Sequence, residues 1–165
     1  MAIKAKELQQ FRPIIRYPNG DDITLARLWQ ELTIAAREIE LPVMIESEDV
    51  SYGLLQGSEP CLVLTHPDHQ YDYLKFCVQI RMQGSNALVS VHTFGNSRQL
   101  KKEAIANERT GAGAALLFGG VVGAGYAIGA GLRKMANAVG RSRSSLEIER
   151  LWYAQISEIF DKIII

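Results

Sequence analysis

Tyr73-Leu-Lys-Phe-Cys-Val-Gln-Ile-Arg-Met-Gln83, Gly84-Ser85 and Asn86-Ala-Leu-Val-Ser-Val-His-Thr-Phe94 make up the stretch that decides the fold. Phe76, Val78, Ile80 and Met82 alternate with Lys75, Cys77, Gln79 and Arg81, the period of two that marks a strand with one buried face. Ala87, Val89 and Val91 alternate with Leu88, Ser90 and His92 in the same way. Between the two runs, Gly84-Ser85 suits a two-residue type II′ turn, whose first central position needs the positive φ that glycine accepts. The turn fixes a register: Ile80 opposite Val89 and Val78 opposite Val91 on the core face, Gln79 opposite Ser90 and Cys77 opposite His92 on the other. Every inward position then meets an inward position.

Upstream, Phe11 to Tyr17 is a short apolar segment interrupted by Pro13. Pro18-Asn19-Gly20-Asp21 reads as a turn, with proline presetting φ and glycine taking a positive value. Asp21 or Asp22 is placed to cap a helix over 23–39, whose apolar stripe is Leu25, Leu28, Trp29, Leu32, Ala36 and Ile39. After Pro42, short β-like runs follow at 43–46, 52–55 and 61–65. Downstream, Gly95-Asn96-Ser97 ends the sheet, and 98–110 reads as a polar, basic connector helix. Ser144 with Glu147 forms a capping box opening a helix with Ile148, Trp152, Ile156, Ile159, Phe160 and Ile163 on one face. The predicted class is α+β: an N-terminal helix with a four- to five-stranded, mainly antiparallel sheet over 1–97. A Gly/Ala-rich helical segment at 111–132 comes next, as membrane element or hairpin. A basic hinge and C-terminal amphipathic helix occupy 133–165.

The 165 residues, 47% of them apolar, suit a domain with a real core and exclude a wholly disordered chain. Lys+Arg and Asp+Glu balance at 18 each, but unevenly along the chain. Residues 1–97 hold eight basic and twelve acidic residues, a net of −4; residues 98–143 hold eight and two, a net of +6; residues 144–165 hold two and four, a net of −2. The N-terminus has no apolar run of signal length, so no secretory signal is expected. Cys61 and Cys77 are too few for a disulfide scaffold and are expected to be reduced. No lipidation signal is visible.

The basic block encloses Thr110 to Leu132, a stretch of 23 residues without a charge and with eight glycines. As a helix it would extend ~35 Å, against a hydrocarbon core of ~30 Å. Gly111, Ala115, Gly119, Gly123, Ala127 and Gly131 recur every fourth position, the small-xxx-small stripe by which helices approach closely in lipid. In water the glycines would cost about 1 kcal/mol each relative to alanine. In lipid the backbone must bond internally, which enforces a helix. Its strongly apolar residues (Leu116, Leu117, Phe118, Val121, Val122, Ile128 and Leu132) contribute only ~−3 kcal/mol to insertion. A segment so weakly inserted needs partners. Lys101, Lys102 and Arg109 before it, with Arg133, Lys134, Arg141 and Arg143 after it, suit anionic headgroups. The segment resembles glycine-zipper sequences in general, a pattern shared by unrelated membrane proteins. Gly123-Ala-Gly125-Tyr-Ala-Ile-Gly129 also looks like a dinucleotide-binding turn, but the 36 residues after it are too few for the parallel sheet such a site needs.

Cys61-Leu-Val-Leu-Thr-His66-Pro-Asp68-His69 is the most chemical-looking run. It is similar to the histidine-rich loop of metallo-β-lactamase-type hydrolases, which also follows an apolar strand; the match covers about six residues, with one histidine of the loop missing. That resemblance implies a metal-dependent hydrolase. Thiolate and imidazole suit zinc, which makes Cys61, His66, His69 and Cys77 the candidate metal ligands. Cys77 opposite His92 has the make-up of a thiolate–imidazole couple but shows no orienting third group. Lys75 and Arg81, with Tyr71 and Tyr73 nearby, could meet phosphate, but a net of −4 does not suit a nucleic-acid platform. The C-terminal helix, through Trp152 and Phe160, or another subunit is expected to cover part of that face.

No catalytic set and no cofactor site emerge. The leading expectation is a non-enzymatic protein at the cytoplasmic face of a membrane, with an α+β recognition domain and a glycine-zipper segment that self-associates or perturbs the bilayer. Its expected partners are copies of itself, anionic lipid and a protein ligand. The alternative is a soluble cytoplasmic interaction module whose Gly/Ala segment packs within the fold or on a partner. A metal-dependent hydrolase is third.

Overall fold

The computed structural model describes residues 2–97 and 145–164. The expected connector helix over 98–110, the small-residue stripe over 111–132, the basic flanks and the Ser144 cap all lie outside the described residues. Among the described residues, no helix is long and apolar enough to cross a membrane.

The predicted hairpin forms as β6 (Lys75–Gln83) and β7 (Asn86–Phe94), with Ile80 opposite Val89, Val78 opposite Val91, Gln79 opposite Ser90 and Cys77 opposite His92. Gly84 has φ +64° while Ser85 stays out of the left-handed region, which is the type II′ pattern. The sheet around the hairpin is larger than predicted, and the expected fold class requires correction. Seven strands run in the order β1-β4-β5-β6-β7-β2, with β3 also paired to β7. Here β1 is Ile3–Lys4, β2 Gln9–Gln10, β3 Ile15–Tyr17, β4 Met44–Ser51 and β5 Ser58–Thr65. Only β1 lies parallel to its neighbour, β4, which makes the sheet mixed. The first helix is not N-terminal; three short strands precede it.

Those short strands curl the sheet. β1 and β2 pair with opposite edges, yet only residues 5–8 separate them, three of these forming a 3-10 turn at Ala5–Glu7. Flat, the five strand spacings between β1 and β2 would span about 24 Å. The five Cα steps from Lys4 to Gln9 reach at most about 17 Å. The sheet must therefore bend toward this strap. Ala5 and Leu8 pack with Ile3, Val50, Cys61, Val63, Cys77, Tyr52 and Phe94, so the strap lies over the face that carries the cysteines, and that face is the inside of the curl.

The opposite face carries the helices. Leu62, Leu64, Phe76, Val78, Val89 and Val91 pack with Leu28, Leu32, Ala35 and Ala36 of α1 (Leu25–Glu38) and with Trp152, Tyr153, Ile156, Ile159 and Phe160 of α2 (Ser145–Ile163). Phe11 reaches this core edge-on to Phe76 at 5.0 Å. Trp152 Nε1 donates to Pro42 O at 2.8 Å, and Lys162 reaches Glu38 at 2.6 Å, fixing α2 beside α1.

Several local expectations are corrected. Thr24, not Asp21 or Asp22, caps α1, its hydroxyl accepting from Arg27 N at 3.2 Å; Asp22 pairs with the Arg27 side chain instead. Trp29 and Ile39 are exposed, because the buried stripe rotates onto Ala35 and Ala36. Asn19, not Gly20, takes the positive φ of the 18–21 turn. Gly20 is needed for close approach instead: a Cβ there would lie 2.6 Å from Ala87 Cβ of β7. Tyr52 to Leu55 is not a strand but part of the β4–β5 connection, with Leu54 and Leu55 fully exposed. Ile148 is exposed on α2, and Glu149 is buried in its neighbourhood.

Candidate functional site: the inside of the curl

Strand alternation places Cys77, Gln79 and Arg81 of β6 and Leu88, Ser90 and His92 of β7 on the strap side. α2 does not cover this face, as had been expected from Trp152 and Phe160; both lie on the other face, against Phe76. The strap covers only part of it. What remains is a cavity of about 300 Å³ lined by Ala5, Leu8 and Ile14 from the N-terminal segment, Tyr52 and Glu59 from β4–β5, and the Gln79, Arg81, Leu88, Ser90 and His92 side of the hairpin.

One edge of the cavity is a closed polar network. Gln79 Nε2 donates to Tyr52 Oη at 2.8 Å, and Arg81 Nη2 donates to the same oxygen at 3.2 Å and to Glu59 Oε2 at 3.2 Å. Tyr52 Oη in turn donates to Glu59 Oε2 at 3.3 Å, and the Arg81 guanidinium lies 5.6 Å from the Tyr52 ring centroid. Arg81 is thus neutralised by Glu59 and is no vacant phosphate site. At the other end, His92 Nδ1 is buried with no hydrogen-bond partner among the described residues. Burial pushes the His92 imidazole below its ordinary range, so the ring is neutral at pH 7. Behind it, Cys61 and Cys77 are fully buried in the second apolar cluster and hydrogen-bond to each other. That contact, with burial, pushes the Cys77 thiol far above the ordinary range, which disfavours a thiolate beside His92.

The four candidate metal ligands separate. Cys61 and Cys77 lie inside the curl, whereas His66 and His69 lie in the β5–β6 loop with rings against Tyr73, and His66 also against Trp152 of the helix-side core. Among the described residues, no group of three or more His, Cys, Asp and Glu could hold a metal ion. His66 Nδ1 accepts from Asp68 N at 3.1 Å, leaving the proton on Nε2 of the neutral ring. Burial, then His69, lowers its basicity. His69 meets Asp72 at 3.2 Å and stacks on Tyr73 with centroids 4.1 Å apart. Both rings pack against each other and against Tyr73.

Beside that loop is the most unusual group of the helix side. Glu149, with no exposed surface, receives hydrogen bonds at Oε1 from Ser97 and, at 2.5 Å, from Tyr153, whose hydroxyl also accepts from Leu74 N at 2.7 Å. Its Oε2 is buried without a partner among the described residues. Burial raises its pKa, with Asp72 adding to the rise, while the bonds from Ser97 and Tyr153 oppose it. This arrangement ties Ser97 to the first turns of α2.

Sequence reasoning named Cys77, Arg81 and His92 but missed Tyr52, Glu59, Gln79 and Ser90 as cavity residues, and missed Glu149 entirely. The cavity needs the strap, and nothing in residues 3–10 announces a crossover. Glu149 was findable: it stands three residues before Trp152 and seven before Ile156, on the buried face of the helix. No family model, no curated protein and no solved structure matches the chain.

Proposed function

We propose that this is a non-enzymatic, membrane-associated protein, with a recognition domain built from 2–97 and 145–164 and a glycine-rich segment, 111–132, that self-associates or perturbs the bilayer from the cytoplasmic face. One observation carries the reading beyond the sequence pattern. The Ser97–Glu149 bond holds residues 97 and 149 together. α2 belongs to the same apolar core as the sheet, so the described residues on either side of 98–144 belong to one folded unit.

Within this reading, that arrangement supports a re-entrant mode of insertion. A single span delivers its flanks to opposite sides of a bilayer, which one folded body does not allow. Two full crossings need ~20 residues each, and the uncharged stretch has 23 in all. Folded back on itself, it supplies two arms of roughly 11 residues, reaching about 17 Å, or half the hydrocarbon core. A shallow re-entrant hairpin meets these limits. It also brings Lys101, Lys102 and Arg109 to the same headgroup layer as Arg133, Lys134, Arg141 and Arg143. The small-residue stripe then serves contact between arms or between copies.

Fractionation of cells expressing the full chain tests the reading. Recovery with membranes, and detergent-stable oligomers that Gly119→Leu with Gly123→Leu abolishes, are expected. Recovery as a soluble, monodisperse monomer without detergent would replace it with the soluble interaction module.

A further inference from the structure

We propose that Glu149 is a proton-controlled latch: protonated, it holds the first turns of α2 against Ser97, and ionised, it lets those turns open while the rest of the body stays folded. Every residue in the argument belongs to the described body, so the inference is independent of the membrane reading. The carboxyl has no exposed surface, and it bonds across the fold as well as along its own helix. Its Oε1 accepts from Tyr153, four residues on in α2, at 2.5 Å, and from Ser97, three residues past the end of β7. Tyr153 Oη is itself fixed, since it accepts from Leu74 N at 2.7 Å. Before Trp152, Glu149 is the only fully buried residue of α2; Leu146 beside it is buried in part. What holds these first turns is therefore mainly a carboxyl group.

The site provides in part for each protonation state and fully for neither. Two hydroxyl donors on one oxygen suit a carboxylate. Complete burial, donors that bring no counter-charge, and an Oε2 with no donor among the described residues suit the acid. Of the facing groups in the β5–β6 loop, Asp72 adds to the effect of burial in favouring the acid, and His69 opposes it. Burial pushes the Tyr73 phenol up to about 12 and Tyr153 far above its ordinary range, so neither ionises below pH 8. His66, against Trp152, works in the opposite sense: burial lowers its pKa, so its protonation loosens packing as pH falls. The closed latch binds a proton that an open, hydrated carboxyl releases above about pH 4.3. The opening constant therefore rises with pH, by at most about tenfold per unit, and levels off where Glu149 ionises in place. Opening stops at Trp152, whose Nε1 is held by Pro42 O at 2.8 Å, ahead of the wholly buried Ile156 and Phe160.

Hydrogen exchange of the full chain, read by mass spectrometry from pH 4.5 to 8 and normalised to the intrinsic rate at each pH, measures the opening. The expected result is a loss of protection of about tenfold in 147–151 between the acid and alkaline ends. Protection in 156–163 and in the β6–β7 hairpin should hold constant. Glu149→Gln keeps an acceptor for both hydroxyls and has no proton to lose, so its 147–151 protection should not vary with pH. Asp72→Asn removes the negative neighbour and should make the loss level off at a lower pH; it carries the test should Glu149→Gln not fold, and an unchanged profile would then overturn the proposal. Wild-type protection in 147–151 that is flat with pH, or a Glu149→Gln profile matching wild type, would overturn it directly. Parallel loss in the hairpin would replace the latch with global unfolding, and protection lost as pH falls would assign the response to His66 instead.

Discussion

Replacing Glu149 by glutamine should make the protein more stable at neutral and alkaline pH, and the gain should grow with pH. Glu149 has no exposed surface, and its two carboxylate oxygens are treated unequally: Oε1 holds bonds from Ser97 and Tyr153, while Oε2 has no partner among the described residues. Burial raises its pKa in the folded state. The folded protein therefore binds more protons than the unfolded chain across the window above the ordinary carboxyl value of about 4.3. This group's contribution to stability is fully present below that value and is lost as pH rises through the raised folded pKa. Glutamine keeps an Oε1 acceptor for both hydroxyls and never ionises. Glutamine still leaves its Nε2 without a partner among the described residues, so the gain comes from removing the buried charge, about 1–3 kcal/mol once the carboxyl is ionised. At a slope of about 1–3 kcal/mol per M urea, that moves the urea midpoint at pH 8 upward by roughly 0.3–3 M. Glu149→Ala removes the acceptor itself and leaves a hole, so it should cost ~2–4 kcal/mol. Urea denaturation followed by tryptophan emission at pH 4.5, 6, 7 and 8 gives the comparison. A glutamine variant as damaged as the alanine variant, or a difference from wild type that does not change with pH, would refute the reasoning.

Other expectations follow from the same contacts. Burial lowers the pKa of His66 and of His92, so their contribution is present above about pH 6.5 and is lost as pH falls below it; His92→Phe should flatten part of the acid arm in the same urea series. Thr24→Ala removes the acceptor for Arg27 N and should cost about 1 kcal/mol, read as a shift in urea midpoint without a change in slope. Cys61 and Cys77 are fully buried, so an aromatic disulfide reagent should titrate neither thiol in the native protein and both in denaturant. Rapid native labelling would contradict their placement behind the cavity.

The hairpin was legible because its two faces differ chemically at every step, and a two-residue turn leaves a single register. The neighbouring strands lack that contrast. In β4, Glu46, Ser47, Glu48 and Asp49 are polar on both faces, since along most of its length it is the edge of the sheet beside a strap only two residues deep. Strands of two or three residues at 3–4, 9–10 and 15–17 are too short to show a period, and Pro13 interrupts their only apolar run. They exist because tertiary pairing with β4 and β7 captures them, a relation between distant residues that local pattern does not carry. Thr24 outranked Asp21 and Asp22 as the cap because the turn closed by Gly20 against Ala87 sets where the helix begins. The cavity was hidden for the same reason as the strap that roofs it. Glu149 was hidden by habit, since a glutamate on an amphipathic helix is ordinarily assigned to the solvent face.

The central proposal is that the folded body, which holds residues 97 and 145 in one unit, sits at one face of a membrane that 111–132 enters. Flotation of the purified full chain with phosphatidylglycerol vesicles, against phosphatidylcholine vesicles and at rising salt, tests it most directly. The account predicts co-flotation with the anionic vesicles, with attachment surviving salt once 111–132 has inserted, and every site of the body open to protease from outside. A protein that stays at the bottom of the gradient with both lipids, or one whose α2 is shielded while its sheet is cleaved, would contradict it.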